Sequence, residues 1–84
     1  ALGKLRIGEN PTEILQCDLA LETEAVVVLR EAVAYADSIS DYVSRQLFVT
    51  ILDSEEEHID WLETQLDLIE RIGEPNYLLT KLED

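Results

Sequence analysis

The sequence predicts an all-α fold, and within that class one half of a helical bundle whose other helices belong to a separate chain. Three observations lead there. Two stretches repeat apolar residues at alternating steps of four and three, the spacing of a buried helix face in a bundle. Residues that break or cap helices stand between those stretches and at their ends. The apolar positions also occupy more of the helix surface than two helices can cover on each other.

Residues 1–10 contain Gly3 and Gly8 and no sustained period, so they read as loop. Asn10, Pro11 and Glu13 then supply a cap, a first-turn proline and an acidic first turn, which predicts a helix over 11–38. Its seam holds Leu15, Leu19, Glu22, Val26, Leu29, Val33 and Ala36. Leu21, Ala25, Val28 and Ala32 form a second apolar face on the same helix, which needs a cover of its own. The phase is lost at Asp37-Ser38-Ile39-Ser40-Asp41, a short link that makes the next helix an antiparallel neighbour. That second helix is expected over 41–72, with Phe48, Leu52, Glu55, Ile59, Leu62, Leu66 and Ile69 on its seam. Gly73 stops it, Arg71 suits its negative end, and 75–83 has the length for a short third helix.

Of the 84 residues, 46% are apolar and 30% charged, the balance of a folded helical protein and not of a disordered acidic tail. A net charge of −13 opposes nucleic acid and anionic membranes as partners and makes cations the natural ligands. From Gln46 through Glu70 there are eight acidic residues and no Lys or Arg. A lone Cys17 has no internal disulfide partner and reads as an ordinary small helix residue. No run approaches the roughly 18 apolar residues of a membrane span, and no leader pattern opens the chain, so the cytoplasm is the expected compartment.

Each seam carries one residue that an apolar face would normally exclude, Glu22 on the first and Glu55 on the second. A carboxylate there is costly unless it is paired or bound to metal. Glu55-Glu56-Glu57-His58 places the only histidine three residues after the seam glutamate, on the same part of the helix. Carboxylate and imidazole together suit iron, manganese or zinc. Glu22 lies 17 residues before Ile39 and Glu55 lies 16 after it. At about 1.5 Å per residue the two glutamates share one level of an antiparallel hairpin. Glu22, Glu55 and His58 are therefore the candidate metal ligands. Asp18, one turn before Glu22, is a candidate supporting or pore carboxylate, and Trp61, one turn after His58, is a packing residue open to oxidation near a metal.

The segments DLALE, YADSISDYVSR, EEEHIDWLETQLDLI and NYLL resemble bacterioferritin, the haem-containing bacterial ferritin, and the resemblance covers nearly the whole chain. It implies a ferritin-like four-helix bundle in which residues 1–10 end a crossover loop, 11–38 and 41–72 are the third and fourth bundle helices, and 75–83 is a terminal helix. It further implies a di-iron centre with Glu22 and His58 as terminal ligands and Glu55 as a bridge, half of the ligand set such bundles use. The other ligands would come from an N-terminal-half chain of the same subunit, the split arising from proteolysis or from two coding pieces. Haem b in this family is ligated by methionine, and this chain has none, so the axial ligand belongs to the missing half. The function implied is iron storage and detoxification by a ferroxidase that works only in the assembled bundle, inside a closed shell of 24 subunits. Two other readings compete: a metal-free acidic helical interaction module, and another ferritin-like di-iron oxidase or peroxidase of the rubrerythrin kind.

Overall fold

The computed structural model describes residues 10–82, and these form three helices with no strand among them. Residues 1–9, expected as the loop end, and the last two residues of the chain lie outside the described part. Helix α1 runs Pro11–Ser38, α2 runs Tyr42–Ile72 and α3 runs Glu74–Leu82.

Local chemistry accounts for each boundary. The Asn10 side chain accepts a hydrogen bond from the Glu13 amide, and Pro11 takes the first turn, where its missing N–H costs nothing. Helix α1 closes in a Schellman motif: the Asp41 amide donates to Ala36 O at 2.8 Å and the Ser40 amide to Asp37 O at 3.1 Å. Ser40 takes the left-handed conformation this motif requires, with φ 59°. Asp41 itself is non-helical, because its carboxylate caps α2 by accepting from the Ser44 amide at 3.1 Å; the helix proper starts at Tyr42. The Ser44 hydroxyl and amide hold the Asp41 carboxyl below its ordinary range. At the far end Gly73, with φ 83°, lets its amide reach Ile69 O at 2.7 Å and turns the chain straight into α3. That turn places Glu74 already in the helix, one residue earlier than the sequence suggests.

Helices α1 and α2 pair along their seams. Val26, Ala36, Leu62 and Ile69 are buried, and Leu15, Leu19, Leu29, Val33, Phe48, Leu52, Ile59 and Leu66 are half-buried. Helix α3 folds back on the end of the hairpin. Its Tyr77 is buried and donates its hydroxyl to Gln65 Oε1 at 2.9 Å, and burial pushes the phenol up from its ordinary value. The Thr12 hydroxyl donates to Glu74 Oε1 at 2.8 Å, tying the start of α1 to the same end. The second apolar face of α1 stays open, with Leu21 55% and Val28 63% exposed. On α2, Val43, Leu47 and Ile51 are exposed as well. The fold is a rod of 51 × 19 × 19 Å, and its hydrophobic surface is that of part of a bundle.

Candidate metal centre

The hairpin's register is set by contacts across it. His58 Nε2 lies 3.1 Å from Asp18 Oδ2, which puts those two residues at one level. From there Glu22 lies four residues towards the link on α1 and Glu55 three residues towards it on α2, so the two glutamates also share a level to within about 1.5 Å. Both are half-buried on the seam side, between buried Val26 and buried Leu62 along their own helices.

Glu55 Oε2 is buried and has no hydrogen-bond partner among the described residues. Arg45 Nε shares that condition, but its charge is compensated by Asp37 Oδ1 at 3.2 Å. Among the described residues no such compensation reaches Glu55. Arg30, the cation best placed along α1 to do so, is taken by the neighbouring Glu56 at 2.9 Å in an exposed pair. A buried carboxylate oxygen without a partner costs about 1–3 kcal/mol and is the donor a cation needs. Glu55 and His58 thus fit a metal ion that prefers oxygen and nitrogen ligands.

His58 is held by two contacts of different kinds. Asp18, whose side chain is 14% exposed, meets its ring edge through Nε2, and Trp61 stacks on its face with centroids 5.9 Å apart and planes 8° from parallel. Lys81 of α3 lies over Trp61, with Nζ 5.9 Å from the ring centroid, and over Tyr77 at 5.2 Å. The Asp18–His58 contact follows from the antiparallel register, since the step back from Glu22 on α1 and the step on from Glu55 on α2 go the same way. The reach of Lys81 depends on the turn at Gly73 and has no signal in the sequence. Cys17 is exposed and free of disulfide.

Among the described residues, no group of three or more His, Cys, Asp or Glu is close enough together to hold a metal ion. Glu22 and Glu55 thus share a level, with His58 one turn along the same face, and the three do not form a closed ligand shell. Two helices leave that face open on one side, and like-charged carboxylates repel unless a cation or a shared proton stands between them. A groove of about 550 Å³ lies nearer the far end of the hairpin, lined by Thr12, Gln16, Leu19, Glu63 and Leu66 among others, and none of the candidate ligands borders it.

The ferritin-like domain family matches residues 2–72. The chain belongs to the ferritin-like family. As a ferritin-like chain it is 45% identical over 78 residues to a bacterioferritin of Rhodobacter capsulatus, a match covering 93% of this chain and 48% of the relative. It is 51% identical over 73 residues to a bacterioferritin of Brucella melitensis, covering 87% of this chain and 45% of the relative. A bacterial ferritin of Synechocystis is 47% identical over 79 residues, 93% of this chain and 51% of its own length. The bacterioferritin resemblance carried by DLALE and EEEHIDWLETQLDLI is thereby borne out. The chain spans about half the length of the curated relatives it matches. No helix among the described residues is long and apolar enough to cross a membrane.

Proposed function

We propose that this chain is the C-terminal half of an iron-storing ferritin subunit and supplies half of a di-iron ferroxidase centre. Glu55 would bridge two ions, with Glu22 and His58 as terminal ligands. The observation that carries this reading is Glu55 Oε2, buried without a partner at the level of Glu22 and one helical turn from His58.

Iron(II) is the substrate, and a bound pair of ions supplies two electrons to dioxygen or peroxide. The chain's own residues do the rest. A glutamate has two oxygens, so one side chain reaches two ions, and hard anionic oxygens favour the ferric state over the ferrous one. Seam residues such as Val26 and Leu62 limit water at the site. Exposed Asp53, Glu57, Asp60, Glu63, Asp67 and Glu70 on α2 make its outer surface acidic, which concentrates cations near the protein.

The N-terminal half brings the two helices that cover Leu21, Val28, Leu47 and Ile51, together with the remaining ligands. Haem, where bound, is ligated outside this chain, which has no methionine. Further subunits close the shell, in the cytoplasm.

Denaturing mass spectrometry of the native particle, joined to metal and haem analysis, tests the proposal. The expected result is a second segment of roughly 65–80 residues that carries a Glu-x-x-His and a methionine, in a particle that takes up about two irons per subunit before mineral forms. A soluble particle made of this chain alone, or one that binds no iron, contradicts it and favours a metal-free helical interaction module. A small, open assembly with peroxidase activity favours the rubrerythrin-like alternative.

A further inference from the structure

We propose that Lys81 is an electrostatic guard for two oxidisable rings: its ammonium group, held over Trp61 and Tyr77, makes it harder for an oxidant to take an electron from either. The guarding itself stands on contacts within this chain. Its use to the protein rests on the reading of His58 as an iron ligand, since Trp61 stacks on that histidine.

Indole and phenol rings give up a single electron more readily than any aliphatic side chain. Trp61 is the only tryptophan of the chain, and with 47% of its surface exposed it is open to small oxidants from solvent. It also lies against His58, so iron chemistry at that histidine would take place beside it. Iron(II) and peroxide give iron(III), hydroxide and a hydroxyl radical, and that radical takes an electron from an indole to become a second hydroxide. The oxidised ring then loses its N–H proton to water and goes on to irreversible products.

Lys81 opposes the loss of that electron. Its Nζ lies 5.9 Å from the Trp61 centroid and 5.2 Å from the Tyr77 centroid. At neutral pH the ammonium is charged and is attracted to the electron-rich face of a neutral ring. Once the ring has lost an electron the two charges repel, so the placement that stabilises the intact ring destabilises the oxidised one. Tyr77 has a second protection. A phenol loses an electron easily only when its proton leaves as well, and the Tyr77 hydroxyl donates to Gln65 Oε1 at 2.9 Å, an amide oxygen too weakly basic to take that proton. Tyr77 and Lys81 stand one turn apart on α3, and α3 leans on α2 so that the same ammonium reaches Trp61. That gives α3 a task beyond closing the end of the hairpin.

The test uses the metal-free, fully assembled protein and nitrogen dioxide radical, a weak one-electron oxidant that leaves as nitrite. Being uncharged, this oxidant is not steered by the charge at position 81. Peptide mass mapping follows the loss of unmodified Trp61, and hydrogen exchange at the Tyr77 amide reports whether α3 stays docked. Lys81→Met keeps the aliphatic stem and removes the charge. It is expected to speed the loss of Trp61 by about 2- to 5-fold, the factor equivalent to an exposed cation–π attraction, with Tyr77 protection unchanged. Lys81→Arg keeps the charge and is expected to keep the parental rate. A parental rate in Lys81→Met, or equal acceleration in Lys81→Arg, overturns the guard. Should Lys81→Met release α3, Lys81→Gln replaces it, and release in that variant too makes Lys81 a clamp and not a guard. No iron is present in these measurements. The reading of His58 as an iron ligand fails on a different result, an assembled protein that binds no Fe(II), so the two failures are distinguishable.

Discussion

Glu55→Ala in the assembled protein removes the fast phase of Fe(II) oxidation and leaves the metal-free protein at least as stable as the parent. The two halves of this result have separate causes. A bridging carboxylate serves both ions, so its loss weakens both at once, whereas Glu22→Ala and His58→Ala each weaken the single ion they terminate and leave residual binding at the other. Stability goes the other way because Glu55 Oε2 is buried without a partner before metal arrives. Removing such a group relieves a desolvation cost of about 1 kcal/mol or more. Stopped-flow oxidation and thermal melting of the apo protein, measured on one preparation, check both halves. Parental oxidation of two irons per site by the alanine variant would show that Glu55 is not a bridge. Loss of oxidation together with a collapsed melting curve would make Glu55 a packing residue.

The 84-residue chain by itself gives no cooperative unfolding transition as a monomer. Only Val26, Ala36, Leu62, Ile69 and Tyr77 form the buried hydrophobic core of the described residues. Against that core stand Leu21, Val28, Val43, Leu47 and Ile51 exposed on the two long helices. The radius of gyration of 16.5 Å also exceeds the roughly 12 Å of a compact domain of this length. Circular dichroism with analytical ultracentrifugation at micromolar concentration is expected to show helix that melts gradually, or association that hides the apolar faces. A sharp two-state transition for a 9.5 kDa monomer contradicts the half-bundle account.

How much of this was legible in the sequence varies with the kind of contact. Seams of alternating four and three steps located the packed faces, and every seam residue from Leu15 to Ile69 is buried or half-buried. Short-range punctuation at Asn10, at Ser40-Asp41 and at Gly73 located the turns, because caps depend on neighbours within a few residues. Leu21 and Val28 announced an open face for the same reason that Leu19 and Val26 announced a closed one. The pairing of Asp18 with His58 follows from antiparallel register, but only when positions are counted across the link and not along one helix. Lys81 over Trp61 was not legible, since it depends on how Gly73 redirects the chain. The closed ligand shell was not legible either. Glu22, Glu55 and His58 share a face, but no further group among the described residues closes it.

The central claim is that Glu22, Glu55 and His58 bind a pair of iron ions in the assembled bundle. The most direct test is a crystal structure of the assembled protein soaked anaerobically with Fe(II), with anomalous differences collected at the iron edge. The account predicts two iron peaks about 3.5–4 Å apart, the spacing of two-metal sites, with one Glu55 oxygen on each and with Glu22 and His58 as terminal ligands. Iron found only on the exposed acidic surface of α2, with no peak within bonding distance of Glu55 or His58, would contradict it.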